Sequence, residues 1–126
     1  MDIKQLNKSE LQLMKYLWTL NKGFMKDIVD QFPEPKPAYT TISTLLSRMC
    51  EKKYVGFIRL GRDKEYYPIL KKNDYFAAQM KTMITHFFND SKSQFASFFT
   101  KNADFSMEEL EELQALVKDK IDQKRK

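Results

Sequence analysis

Residues 37–53 read Pro-Ala-Tyr-Thr-Thr-Ile-Ser-Thr-Leu-Leu-Ser-Arg-Met-Cys-Glu-Lys-Lys. Ile42, Leu45, Leu46 and Met49 recur at i, i+3, i+4 and i+7, which places them on one stripe of an α-helix. The opposite face carries Thr40, Thr44, Ser47, Arg48 and Glu51, with Thr41, Ser43 and Lys52 on its flanks. Surface helices are commonly laced with glutamate and lysine, whereas this one presents hydroxyls and an arginine over its first three turns. Small hydroxyl side chains let a helix approach a groove wall and hydrogen-bond phosphates or base edges, and arginine reaches two acceptors of guanine at once. A solvated face that merely lacks carboxylates is the plainer reading, and the flanking sequence decides against it.

Upstream, Ser9 or Asn7 caps a first helix running to about Leu20, with Leu11, Met14, Leu17 or Trp18, and Leu20 as its apolar side. Asn21-Lys22-Gly23 ends it, with the glycine expected to supply the positive φ of the stop. A short helix from Met25 to about Phe32 buries Ile28, Val29 and Phe32. Three prolines within residues 33–37 forbid a helix interior and form a stiff turn, with Pro37 expected at the first position of the next helix. Helix, short helix, turn and hydroxyl-faced helix is the helix-turn-helix order, in which the last helix enters the major groove.

Downstream, the period drops from 3.6 to 2. Residues 54–60 read as a strand, residues 61–64 as a charged hairpin tip and residues 65–70 as the return strand, where Pro68 suits an edge. A hairpin in this position is a wing. Arg59, Arg62 and Lys64 cluster at its far end, where a phosphate backbone would be met. The expected fold is mainly α with a small β-wing: a winged helix-turn-helix domain over residues 1–72 and a helical region over residues 73–126.

That second region begins after Lys71 and Lys72. Asn73 or Asp74 caps a helix through about Phe88, striped by Phe76, Met80, Met83 or Ile84, and Phe87. Residues 94–100 carry Phe95, Phe98 and Phe99. Ser106 and Glu109 form a capping box for a last helix lined by Leu110, Leu113, Leu116, Val117 and Ile121. Phe76, Phe87, Phe88, Phe95, Phe98, Phe99 and Phe105 give about 54 residues more apolar surface than they can bury alone, so a homodimer is expected. Phe76, Met80, Ile84, Phe87, Phe95, Phe98, Phe99, Leu110, Leu113 and Val117 are its candidate contacts. A ligand pocket between these helices is the other use of such a surface.

Charge supports this division. The chain of 126 residues carries a net +5, yet residues 1–72 hold 14 basic and 8 acidic residues and residues 73–126 hold 8 and 9. The excess positive charge therefore lies beside the expected helix and wing, as an anionic polymer would require. The single cysteine, Cys50, excludes an intrachain disulfide and suits a reducing cytoplasm. It is read as a packing residue, with a redox switch as the lesser alternative. No apolar run approaches the ~20 residues of a membrane helix, and Lys4, Asn7, Lys8 and Glu10 interrupt any signal-peptide core.

His86 is the one histidine and is far along the chain from Cys50. No phosphate loop, metal-ligand spacing or nucleophile motif accompanies them, so neither enzyme activity, a metal nor a cofactor is expected. Thr40, Thr41, Thr44, Ser47 and Arg48 are the candidate groove-facing residues, and Lys52, Lys53, Arg59, Arg62 and Lys64 the candidate phosphate contacts. Tyr39 either donates its hydroxyl to a phosphate or packs under the helix. Double-stranded DNA is the expected partner; a winged helix used only for protein contact would need no such basic surface.

The order and spacing of several pieces resemble the BlaI/MecI family of penicillinase repressors. They are Leu6-x-x-Ser-Glu-Leu-x-Leu-Met-x-x-Leu-Trp18, Tyr39-Thr-Thr-Ile-x-Thr-Leu-Leu-x-Arg48, Lys52-Lys53-Tyr54-Val55, Tyr66-Tyr67-Pro68 and Phe105-Ser-x-Glu-Glu-Leu-Glu-Glu-Leu113. The resemblance implies a dimeric repressor on a palindromic operator ahead of resistance or sensor genes. It also implies a membrane-bound zinc-protease sensor of β-lactam that cuts the repressor in its dimerisation region. The family's cut falls at an Asn-Phe bond shortly before the last helix. The equivalent bond here is Phe98–Phe99, where the asparagine is absent. Ala38 likewise stands where relatives often place a capping serine. The copper-responsive branch of the family carries C-terminal cysteine pairs, which this chain lacks.

Overall fold

The computed structural model describes residues 3–126. Its elements are α1 (Lys8–Leu20), α2 (Met25–Gln31), α3 (Tyr39–Glu51), β1 (Val55–Leu60), β2 (Asp63–Pro68), α4 (Lys72–Phe88), α5 (Lys92–Asn102) and α6 (Met107–Arg125). Two compact units emerge, one extending to Met80 and the other spanning Lys81–Lys126, so the division falls inside α4.

In the first unit, Asn7 rather than Ser9 caps α1. Asn7 Oδ1 accepts from the Glu10 N–H at 2.9 Å, and Glu10 Oε1 accepts from the Asn7 N–H at 3.0 Å. The helix stops at Asn21, whose own φ of 68° does what was expected of Gly23. Gly23 instead pairs its backbone with Tyr66, donating at 2.9 Å and accepting at 2.8 Å. The short α2 is closed by Lys36, whose Nζ donates to the Asp30 and Phe32 carbonyls at 2.8 and 2.6 Å. A cation there satisfies carbonyls that the helix end leaves free. Pro37 is not the first residue of α3. Ala38 is the N-cap in an extended conformation, and its carbonyl accepts from Thr41 and Ile42, which leaves Pro37 one residue outside.

β1 and β2 pair antiparallel, from Val55 opposite Pro68 to Leu60 opposite Asp63. Asp63 and Lys64 are therefore strand residues, and the tip shrinks to Gly61-Arg62, with Gly61 at a φ of 67°. The Gly23 bridge makes β2 the inner strand at Tyr66 and leaves β1 at the edge. Two residues on, the nitrogen of Pro68 points to the same side as that of Tyr66, beyond the bridge, where no ladder bond is required.

The core gathers the stripes of three helices. Leu13, Met14 and Leu17 of α1, Ile28 of α2, and Ile42, Leu46 and Met49 of α3 are fully buried with Val55 and Leu70. The α3 stripe is the expected one; Leu13 had not been expected. Polar tips of core aromatics find partners: Trp18 Nε1 donates to the Leu70 carbonyl at 2.8 Å, and the Tyr75 hydroxyl accepts from the Leu6 N–H at 3.0 Å. Tyr75 thereby fastens the first turn of α4 to this core.

In the second unit, Ser91 caps α5 by accepting from the Gln94 N–H, and Ser106 and Glu109 form the expected capping box of α6. Phe88, Phe95, Phe98, Phe99 and Phe105 form a chain of ring contacts with centroids 5.3–6.0 Å apart. Among residues 81–126, Ile84 alone is buried.

Leu46→Ala is expected to destabilise the protein by about 2–5 kcal/mol through lost burial and a residual cavity. Urea unfolding measures it; a loss under ~1 kcal/mol would show that α3 does not anchor the core.

Candidate nucleic-acid interface

The packing that buries one face of α3 turns the other outward. Thr40, Thr41, Thr44, Ser47 and Arg48 are all exposed. Tyr39 is 53% exposed, so its ring lies at the surface rather than under the helix. The Thr44 hydroxyl donates to the Thr40 carbonyl at 3.0 Å, which leaves its oxygen free to accept. Arg48 makes no ion pair among the described residues. Glu51 is the only carboxylate on the helix.

The C-terminal end of α3 is fixed twice. Lys53, at a φ of 65°, donates its N–H to the Cys50 carbonyl, and the Tyr54 N–H bonds the Met49 carbonyl, both at 3.0 Å. This pair of bonds is a Schellman stop, usually built on glycine. A lysine thus occupies a conformation in which its Cβ is disfavoured. Beside it, Lys52 Nζ pairs with Glu10 Oε2. Lys52, expected at a phosphate, is thus engaged with α1.

Glu10 is 2% exposed. Burial alone would raise its pKa. The Lys52 ammonium, the Asn7 N–H and the nearby Arg48 charge outweigh that and hold the carboxyl below its ordinary value of 4.5. Sequence reasoning missed this role, although the spacing of Asn7 and Glu10 is itself a capping signal.

The wing continues the surface. Arg59 and Lys64 are cross-strand neighbours and Arg62 is at the turn, so the three expected residues do come together. Lys64 Nζ lies 4.5 Å from the Phe57 ring centroid, a cation–π contact that steadies it. Lys26, not singled out in the sequence, joins Arg62, Lys64 and Tyr39 around one cleft. Cys50 is half-buried, and burial pushes its thiol upward against the opposing Lys64 charge. His86 is exposed on α4. No group of three or more His, Cys, Asp or Glu side chains among the described residues is placed to hold a metal ion.

The sequence profile of penicillinase repressors matches residues 6–119. The chain belongs to the penicillinase repressor family. Family relatives include the penicillinase repressor of Bacillus licheniformis, 23% identical over 98% of this chain and 97% of its own. The methicillin resistance regulatory protein MecI of Staphylococcus aureus (strain N315) is 20% identical over 92% of this chain and 95% of its own. A solved CopR repressor structure is similar over 56% of this chain and 100% of its own, at 25% identity and a TM-score of 0.44. The penicillinase repressor family is one of transcriptional repressors rather than enzymes. The helical fold with its two-stranded hairpin agrees with a winged helix.

Because the folded pKa of Glu10 is depressed, its contribution to stability is complete above pH 4.5 and is lost as pH falls through the folded value. Glu10→Gln is expected to cost about 1–3 kcal/mol at neutral pH and to flatten this acid limb. Unfolding measured from pH 7 to pH 3 checks both; an unchanged acid limb would assign it to other carboxylates. Lys53→Gly should raise stability by up to about 1 kcal/mol by removing the Cβ from a left-handed position. A fall in the urea midpoint would mean that the lysine stem packs usefully there.

Proposed function

We propose that the protein is a homodimeric, sequence-specific DNA-binding repressor that acts on a palindromic operator. The observation that carries this reading is the exposed face of α3: hydroxyls and Arg48, which makes no ion pair among the described residues, project from a helix whose other face is locked in the core, next to a basic wing. In it, residues 1–72 read DNA. Thr40, Thr41, Thr44, Ser47 and Arg48 meet base edges, and Tyr39, Lys53, Arg59, Arg62 and Lys64 meet phosphates.

Residues 73–126 supply the dimer. Phe76, Met80, Phe87, Phe98, Phe99, Leu110 and Val117 are exposed in the protomer, Phe87 by 77%. Phe95 and Leu113 are half-exposed. Residues 81–126, of which only Ile84 is buried, cannot offset their own chain entropy, which supports a second copy as their cover. Ile84 is already buried within the protomer and contributes from beneath that surface. Two linked half-site contacts then bind far more tightly than one.

The inducing signal is a β-lactam relayed by a membrane-bound sensor metalloprotease, in keeping with relatives named for penicillinase and methicillin resistance. Its target is the Phe98–Phe99 bond in α5, which must unwind to enter a protease cleft. No helix among the described residues is long and apolar enough to cross a membrane, and the repressor acts in the cytoplasm.

DNase footprinting on the DNA flanking the gene, at ~150 mM salt, should reveal a two-fold symmetric protected site. Arg48→Ala should weaken that complex by ~1–3 kcal/mol while leaving the fold intact. A folded dimer that protects no site would favour a winged helix used for protein contact.

A further inference from the structure

An α-helix with its side chains is about as wide as the B-DNA major groove, roughly 10–12 Å against 12 Å. A helix seated there therefore fills it, and the sugar–phosphate walls land on whatever flanks the helix. Here α3 is a ridge between two clefts. Tyr39 slopes into one, of about 550 Å³, shared with Lys26 of α2 and with Arg62 and Lys64 of the wing. Thr41, Thr44 and Arg48 slope into the other, of about 610 Å³, shared with Ser9 and Gln12 of α1 over a floor of prolines. Each volume is large against a single phosphate group.

The chemistry of the two clefts differs. The wing-side cleft holds three cations against Asp27 and Asp63, and Asp27 is already occupied, accepting the Phe24 N–H at 3.0 Å. Lys26 is exposed in the first turn of α2 and takes part in no ion pair among the described residues. The α1-side cleft has no carboxylate and one cation, Arg48; the rest of its polar rim is hydroxyl and amide. Gln12 spends one amide hydrogen on the Tyr16 hydroxyl at 3.1 Å, whereas the exposed Ser9 hydroxyl makes no hydrogen bond among the described residues.

On the DNA-binding reading above, we propose that the two clefts grip the two walls of the major groove by different chemistry, with Lys26 and Ser9 as the added backbone contacts. The wing-side wall is held by charge, with displacement of counterions, and the α1-side wall mainly by neutral hydrogen bonds. A neutral donor releases no counterion, so the two contacts leave different signatures in a salt titration.

The test uses the full-length protein, a fluorescein-labelled 30-base-pair duplex of scrambled sequence, and anisotropy titrations from 50 to 200 mM KCl. Lys26→Gln should lower the slope of log K against log[salt] by about 0.9 and weaken binding about fivefold near 150 mM. Ser9→Ala should weaken binding at every salt concentration along a line parallel to that of the wild type. Lys15→Gln removes the same charge from an exposed α1 position outside both clefts and should leave the slope unchanged. Both contact residues are exposed, so circular dichroism should show unaltered folding. A Lys26→Gln slope equal to the wild-type value, or the same slope change in Lys15→Gln, would overturn the charged grip. Unaltered affinity in Ser9→Ala would overturn the neutral one. Wild-type protein that fails to bind duplex at any of these salt concentrations would instead remove the DNA-binding reading itself.

Discussion

A single buried carboxylate ties the start of the chain to the end of the helix that would read DNA. Glu10 is the one charged side chain buried among the described residues, and it serves two helices. One oxygen closes the cap of α1 and the other holds the Lys52 ammonium at the C-cap of α3. A charge removed from water is tolerable only with such partners. The consequence is positional. α3 cannot slide along α1 without leaving a buried carboxylate uncompensated, so the hydroxyl face is presented at a fixed height above the core.

The remainder of the first unit follows from the same economy of faces. Ile42, Leu45, Leu46 and Met49 go inward, and whatever lies opposite must go outward. Gly23 lends its backbone to β2, which holds the hairpin beside α3 instead of leaving it to swing. The Schellman stop at Lys53 turns the chain directly from α3 into β1. Helix and wing are thus two parts of one rigid surface. The second unit is built on another plan, with its rings in mutual contact yet most of its apolar side chains uncovered.

Most of this was legible in the sequence wherever the signal is local. The i, i+3, i+4, i+7 spacing of α3 named its buried residues, and Ser106 with Glu109 announced α6. The misreadings share a cause. The pairing of Lys52 with Glu10 stayed hidden because the two are 42 residues apart. Gly23 looked like a helix stop because its strand partner, Tyr66, is equally remote in sequence. The hairpin tip looked longer because Asp63 and Lys64 are polar, although register, not polarity, ends a strand. Pro37 suited the first helical position by type, but the extended Ala38 moved the start onward. Lys26 carries no local signal; only the fold brings it beside the wing.

The length of α5 has a consequence of its own. Scission at Phe98–Phe99 would part this helix of 11 residues into segments of seven and four. Isolated helices shorter than about 12 residues are marginal in water, because nucleation is costly and too few bonds remain to offset it. Neither fragment would hold its turns, and the ring contacts of Phe98 with Phe88 and of Phe99 with Phe105 would lose their common support. The segment would act as a fuse rather than a hinge: once broken it does not re-form, and restoring repression would require a newly made chain.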